Sequence, residues 1–180
     1  NASLQRVKRL FNARKAGHTG SLDNLASGML PICLGEATKF ANYILNSDKH
    51  YQAECTLGIT TTTGDAEGEI LQTLPIPKLT QEKIDAILEK FTGEIEQVPP
   101  MYSALKYKGQ PLYKLARQGK SIERKVRNIT IYKLSAIDFD AKHLSIQVHC
   151  SKGTYIRTLA EDIGTALGCG AYVSKLHRTQ

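Results

Sequence analysis

The sequence is poor in cysteine and has no long apolar run, and acidic residues are nearly missing from two of its stretches. The four cysteines, Cys33, Cys55, Cys150 and Cys169, are widely spaced, with no CxxC pair and no Cys/His cluster. That pattern argues against a zinc site and a disulfide framework; reduced thiols in a cytoplasmic protein are the simplest reading. No apolar run approaches the roughly 18–20 residues that a membrane span needs. The first ten residues, NASLQRVKRL, are amphipathic and basic, without the apolar segment of a signal peptide. No repeat, low-complexity stretch or linker divides the 180 residues, so one domain is expected.

Acid is absent from residues 1–20, which hold Arg6, Lys8, Arg9, Arg14 and Lys15. Residues 101–130 hold eight basic side chains against Glu123 alone, whereas residues 61–100 carry eight acids and three lysines. The net charge of +7 is therefore gathered in two blocks. Two basic blocks suit a polyanion, most often a nucleic acid; solvated basic faces are the alternative.

Hydrophobic spacing predicts the elements. Residues 3–12 place Leu4, Val7, Leu10 and Phe11 on one helical face. Residues 16–35 are rich in glycine and small side chains and read as a structured loop. Glu36 to Leu45 reads as a helix with Phe40, Ala41, Ile44 and Leu45 inward. His50–Ile59 and Glu69–Leu74 read as strands of a hairpin around a polar turn. Thr80 caps a helix with Ile84, Ile87, Leu88 and Phe91 on its apolar face. Gln97–Gln110 is loop-like, Leu112–Gln118 a short helix, and Val126–Phe139 contains a strand. Leu144, Ile146, Val148 and Cys150 alternate as in a strand with one buried face. Thr154 is expected to cap a helix that Gly168 ends, and Ala171–Leu176 to form a last strand. The order implies an α+β fold, a largely antiparallel mixed sheet flanked by helices.

One carboxylate, Asp23, sits in the glycine-rich run Gly17-His18-Thr19-Gly20-Ser21-Leu22-Asp23-Asn24-Leu25-Ala26-Ser27-Gly28. Glycine lets backbone approach a ligand closely, so Asp23 is a catalytic candidate; an Asx turn is the plain alternative. The run is not a phosphate loop, because it lacks the Gly-Lys-Ser/Thr ending.

The segment GHTGSLDNLASGMLPICLGEATKF resembles, nearly residue for residue, the catalytic motif of the TruB pseudouridine synthases. Three further segments agree in the family's order: Asp48-Lys49-His50-Tyr51, PPMYSALKYKGQPLYKLARQG (99–119) and CSKGTYIRTLAEDIG (150–164). The resemblance covers essentially the whole chain. It implies the pseudouridine synthase fold and the isomerisation of uridine 55 in the T-loop of transfer RNA. The N1–C1′ bond of a flipped-out uridine breaks and the uracil is rejoined through C5. No cofactor or metal is implied, and the expected partner is the transfer-RNA T-arm. No membrane or protein partner is evident, and a monomer is the default expectation.

The resemblance also assigns residues. Asp23 matches the catalytic aspartate; a carboxylate either attacks the sugar or accepts a proton from it. Arg157 matches the arginine that pairs with it, and a nearby cation favours and orients the ionised carboxylate. Tyr51 matches a tyrosine that packs on the target base, with proton transfer at C5 as its lesser role. His18 matches a histidine against the displaced bases, Tyr155 and Leu176 match residues lining the uracil pocket, and Asp65 matches an aspartate near the site. Lys106 and Lys108 are expected to contact phosphate. Each has an ordinary structural alternative: a surface arginine, a strand tyrosine, an exposed loop histidine, an apolar or capping residue, a turn aspartate.

Asn24 stands where the family usually has proline. Residues 1–180 read as one catalytic domain incomplete at both ends, without the family's upstream Lys-Pro segment and its downstream PUA-like domain. A non-catalytic RNA-binding module and a glycoside or nucleoside hydrolase are the competing readings. The first would not need Asp23, Tyr51 and Arg157 together; the second would want another catalytic carboxylate.

Overall fold

A computed structural model describes residues 2–180. The first half holds helix α1 (Ala2–Leu10), strands β1 (Ala16–His18), β2 (Ala26–Gly28) and β3 (Ile32–Leu34), and a 3-10 turn (Gly35–Phe40) running into α2 (Ala41–Leu45). Then come β4 (Lys49–Leu57), β5 (Ile59–Thr61), β6 (Ile70–Thr73), α3 (Gln81–Lys90) and β7 (Gly93–Gln97). The second half holds β8 (Lys106–Tyr107), β9 (Gln110–Pro111), α4 (Leu112–Ala116), β10 (Arg127–Phe139), β11 (His143–Cys150), α5 (Ile156–Leu167) and β12 (Ala171–Arg178).

Six strands form the main sheet, in the order β2-β12-β4-β11-β10-β7. The β2–β12 pair is parallel and the rest are antiparallel, so the class is the expected α+β with a mixed sheet. Strand alternation decides which face is covered. Leu144, Ile146, Val148 and Cys150 of β11 are fully buried, as are Ala53, Cys55 and Leu57 of β4. Helix α3 brings Ile84, Ile87 and Leu88 to this core, and α5 brings Ile156, Leu159, Ala160, Ile163 and Leu167. Truncating a sealed residue such as Leu159 to alanine costs about 2–5 kcal/mol.

Helix α5 lies very close to β12. A Cβ on Gly164 would sit 2.3 Å from the Ala171 nitrogen, so only glycine allows this approach. Gly168, at φ +88°, ends the helix, and the Cys169 and Gly170 amides return to the Gly164 carbonyl. This seat fixes the last turns of α5; Arg157 lies at the other end, in the first turn.

Several expectations need correcting. Residues 16–35 are not one loop but hold three short strands. Small side chains let β2 lie against β12, a partner far away in sequence. Residues 36–45 are a 3-10 turn and a five-residue helix, with Phe40, Ile44 and Leu45 exposed. In α1 Leu4 is buried, while Leu10 and the following Phe11 face outward. The hairpin around the polar turn pairs β5 with β6, because β4 ends at Leu57 to join the main sheet. Edge strand β7 has mostly charged or polar side chains, which hid it. Thr80 caps α3 as expected, accepting from the Lys83 amide. Thr154 does not cap α5: its hydroxyl donates to the Ser151 carbonyl, and Tyr155 is the N-cap residue.

Candidate active site

Asp23 follows Gly20, whose φ of +121° turns the chain out of β1. The Asp23 carbonyl accepts the Ala26 amide at 3.0 Å, closing the turn into β2. Asn24 does what proline could not, donating from Nδ2 to Glu67 Oε2 at 3.3 Å. That bond ties the Asp23 loop to the loop carrying Asp65.

Arg157 approaches from α5. The helix start is fixed by buried Gln97 at the end of β7. Its Oε1 accepts the Tyr155 amide at 2.8 Å, and its Nε2 donates to the Tyr155 carbonyl at 3.1 Å. The Arg157 side chain is only 5% exposed, against 41% for Asp23. Nε donates to Asp23 Oδ2 at 2.8 Å and Nη2 to Oδ1 at 3.3 Å, a two-pronged grip. Nη1 donates to the Thr63 carbonyl and Nη2 to the Tyr102 carbonyl, both at 2.8 Å. Asp65 Oδ2 lies 3.6 Å from Nη1 on a side chain 6% exposed. Asp65 is itself fixed, its Oδ1 accepting from the Thr63 hydroxyl and the Glu67 amide. A guanidinium this buried needs such partners, since an unpaired buried charge is strongly destabilising. The outcome is one shut-in cation shared by two carboxylates, of which only Asp23 opens to solvent.

The opening is a cleft of about 590 Å³. Small-ligand sites run from about 300 to 1,000 Å³. Asp23, Tyr51, Asp65, Tyr155 and Arg157 all line it. Burial pushes the Tyr51 phenol above its ordinary range, offset in part by the Arg178 cation beside it. Burial likewise raises Tyr155, with Ser103 pulling the other way. Lys49 also lines the cleft. Burial and then Arg178 lower its pKa, and its ammonium donates to the Ile44, Leu45 and Ser47 carbonyls at 2.7–3.1 Å.

Five of the nine residues singled out in the sequence therefore meet around one cleft. His18 lies in β1, just before the cleft-lining Gly20, and does not itself line the cleft. Leu176 is buried in the main core on β12 and is not a cleft wall. Lys106 and Lys108 are exposed on the β8–β9 hairpin, outside the cleft. The sequence reading did not single out Thr63 and Tyr102, which act through backbone carbonyls that no side-chain pattern reveals. It also missed Lys49 and Arg178. Arg178 gave no signal in the sequence: an irregularity between Val173 and Lys175 moves the inward series from Ala171 and Val173 to Leu176 and Arg178, which simple alternation does not reach.

Residues 8–156 match the family model described as TruB family pseudouridylate synthase (N terminal domain). Residues 157–180 match that of the tRNA pseudouridylate synthase B C-terminal domain. The tRNA pseudouridine synthase B of Coxiella burnetii (strain Dugway 5J108-111) is 61% identical over 178 residues, 99% of this chain and 58% of the relative. That of Nitrosococcus oceani is 59% identical over 180 residues, 100% of this chain and 58% of the relative. The chain thus spans under two thirds of the length of these curated relatives. Among solved structures, a Cbf5-Nop10-Gar1 complex matches with TM-score 0.75 and 30% identity, over 99% of this chain and 44% of that one. An H/ACA ribonucleoprotein bound to a substrate RNA containing 2′-deoxyuridine matches with TM-score 0.70 and 26% identity, over 99% and 42%.

Proposed function

The chain belongs to the TruB family of pseudouridylate synthases, and from that premise we propose that the protein containing it isomerises uridine to pseudouridine in transfer RNA. The target is uridine 55 of the T-arm, and Asp23 is the catalytic carboxylate. The fold is the pseudouridine synthase fold. One observation carries the reading: a half-open carboxylate, gripped from behind by a buried guanidinium, shares a cleft with two tyrosines.

The reaction breaks N1–C1′, turns the uracil and forms C5–C1′, with the C5 proton leaving. Asp23 serves it by attack at the sugar or by accepting a sugar proton. Arg157 stabilises the carboxylate whenever it carries charge, and its fixed fork sets the direction in which the free lone pairs point. Tyr51 remains protonated at neutral pH, because burial raises its phenol, so it offers a ring face and a donor, not a base. Tyr155 supplies a second aromatic wall. Extruding the uridine costs a few kcal/mol, which stacking on these rings offsets. Lys106 and Lys108 lie where an RNA backbone can reach them without entering the cleft. Residues 1–180 act in this reading as one catalytic domain.

The test is tritium release from transfer RNA labelled at uridine C5, using the full-length protein. Wild type releases tritium and Asp23→Asn does not. Carbodiimide mapping of the product places the new pseudouridine at position 55; a different position overturns that assignment alone. Tight binding without release points to a non-catalytic RNA-binding module, and free uracil to a hydrolase.

A further inference from the structure

Arg178 closes the inward series of β12 and is 3% exposed. Its side chain forms no salt bridge among the described residues. A buried guanidinium without a carboxylate is costly to keep, so what it touches is informative. Nε donates to the Met29 carbonyl at 2.7 Å, and Nη2 to the Gly20 carbonyl at 3.3 Å. Those carbonyls bracket the loop that holds Asp23. The Arg178 carbonyl also accepts the Met29 amide at 2.7 Å. Across the antiparallel ladder Arg178 lies directly opposite Tyr51, and across the parallel one opposite Gly28. Gly28 has φ +103°, and a Cβ there would sit 2.1 Å from the Arg178 carbonyl oxygen. The loop is therefore pressed against this one residue as closely as backbone allows.

We propose that Arg178 is the positioning residue of the cleft: one planar fork sets both ends of the Asp23 loop, and its place opposite Tyr51 in the ladder puts carboxylate and phenol in one frame. This rests on Asp23 being the catalyst. Arg157 grips the carboxylate itself, whereas Arg178 holds the backbone on which it rides, so the two arginines act on different parts of one loop. A fork is required because the two carbonyls lie in different directions; a lysine ammonium, a compact point charge, does not reproduce that planar fork.

The experiment compares full-length wild type with Arg178→Lys, Arg178→Met and Asp23→Asn. It reads kcat and KM for tritium release, RNA affinity by filter binding, and thermal unfolding, with rates taken well below each variant's melting temperature. Small misplacement of reacting groups costs up to about 10²-fold in rate. Arg178→Met is expected to lose on the order of 10²-fold in kcat and Arg178→Lys about 10-fold, with RNA affinity within about 3-fold of wild type in both. If Arg178→Met does not fold, Arg178→Lys decides, since it keeps the charge and removes only the fork. Wild-type kcat in Arg178→Lys overturns the proposal. So does a loss confined to KM and affinity, which would make Arg178 an RNA contact. An inactive Asp23→Asn beside unaffected Arg178 variants sinks the positioning role alone, whereas an active Asp23→Asn sinks the assignment of the catalyst.

Discussion

Arg157 Nε lies 2.8 Å from Asp23 Oδ2, though 134 positions separate the two residues in the chain. The pairing is lopsided: the cation is sealed and the carboxylate half-open, so chemistry and stability load onto different members of the pair. Asp23→Asn keeps the shape and removes the charge. Tritium release should fall by at least about 10³-fold, with the loss in kcat. Filter binding should show RNA affinity changed by less than about 3-fold.

Arg157→Met should affect stability far more. It leaves Asp65 buried without its cation and the Thr63 and Tyr102 carbonyls without their donor. Breaking a buried pair from one side costs about 3–5 kcal/mol. Urea unfolding of the full-length protein should show a loss of that order. Asp23→Asn, at the half-open end, should lose about 1 kcal/mol or less. Equal losses in the two variants would contradict this division of labour.

Glu161 stands one helical turn after Arg157, with its carboxyl packed against Gly64. Burial, and then the Asp162 charge, push it up to about 7 from the ordinary 4.5. Between those values the folded state binds more protons than the unfolded one, so stability falls as pH rises through this window. Glu161→Gln removes that contribution. Its melting temperature should match wild type near about pH 5 and exceed it by a few degrees near about pH 8. Parallel melting curves for the two proteins across that range would refute the assignment.

Lys106 and Lys108 should behave as phosphate contacts. Replacing both with alanine should weaken RNA binding and make the slope of log affinity against log salt shallower by about 1–2. At saturating RNA, kcat should stay within about 2-fold, because neither residue lines the cleft. An unchanged slope would remove these two lysines from the interface.

Much of this was legible in the sequence because it is local. Period-two burial in β11 and the Thr80 cap of α3 are set by neighbours a few residues apart, and both read correctly. The Gly-rich run around Asp23 and the GTYIR run around Arg157 marked the cleft before any geometry was available. Only the folded chain decided which groups meet. The Glu36–Leu45 pattern looked amphipathic, yet Phe40, Ile44 and Leu45 stay on the surface and do not join the core. Arg178 reads as a chain-end arginine until β12 brings it beside Tyr51 and the Gly20 and Met29 carbonyls. Leu176 shares its face of β12 with the cleft-lining Arg178, yet it sits two residues further into the sheet, where the main core and not the cleft receives it. A sequence sets what each short segment prefers, whereas contacts between residues 23, 51, 157 and 178 depend on long-range pairing, which exists only once the whole sheet has closed.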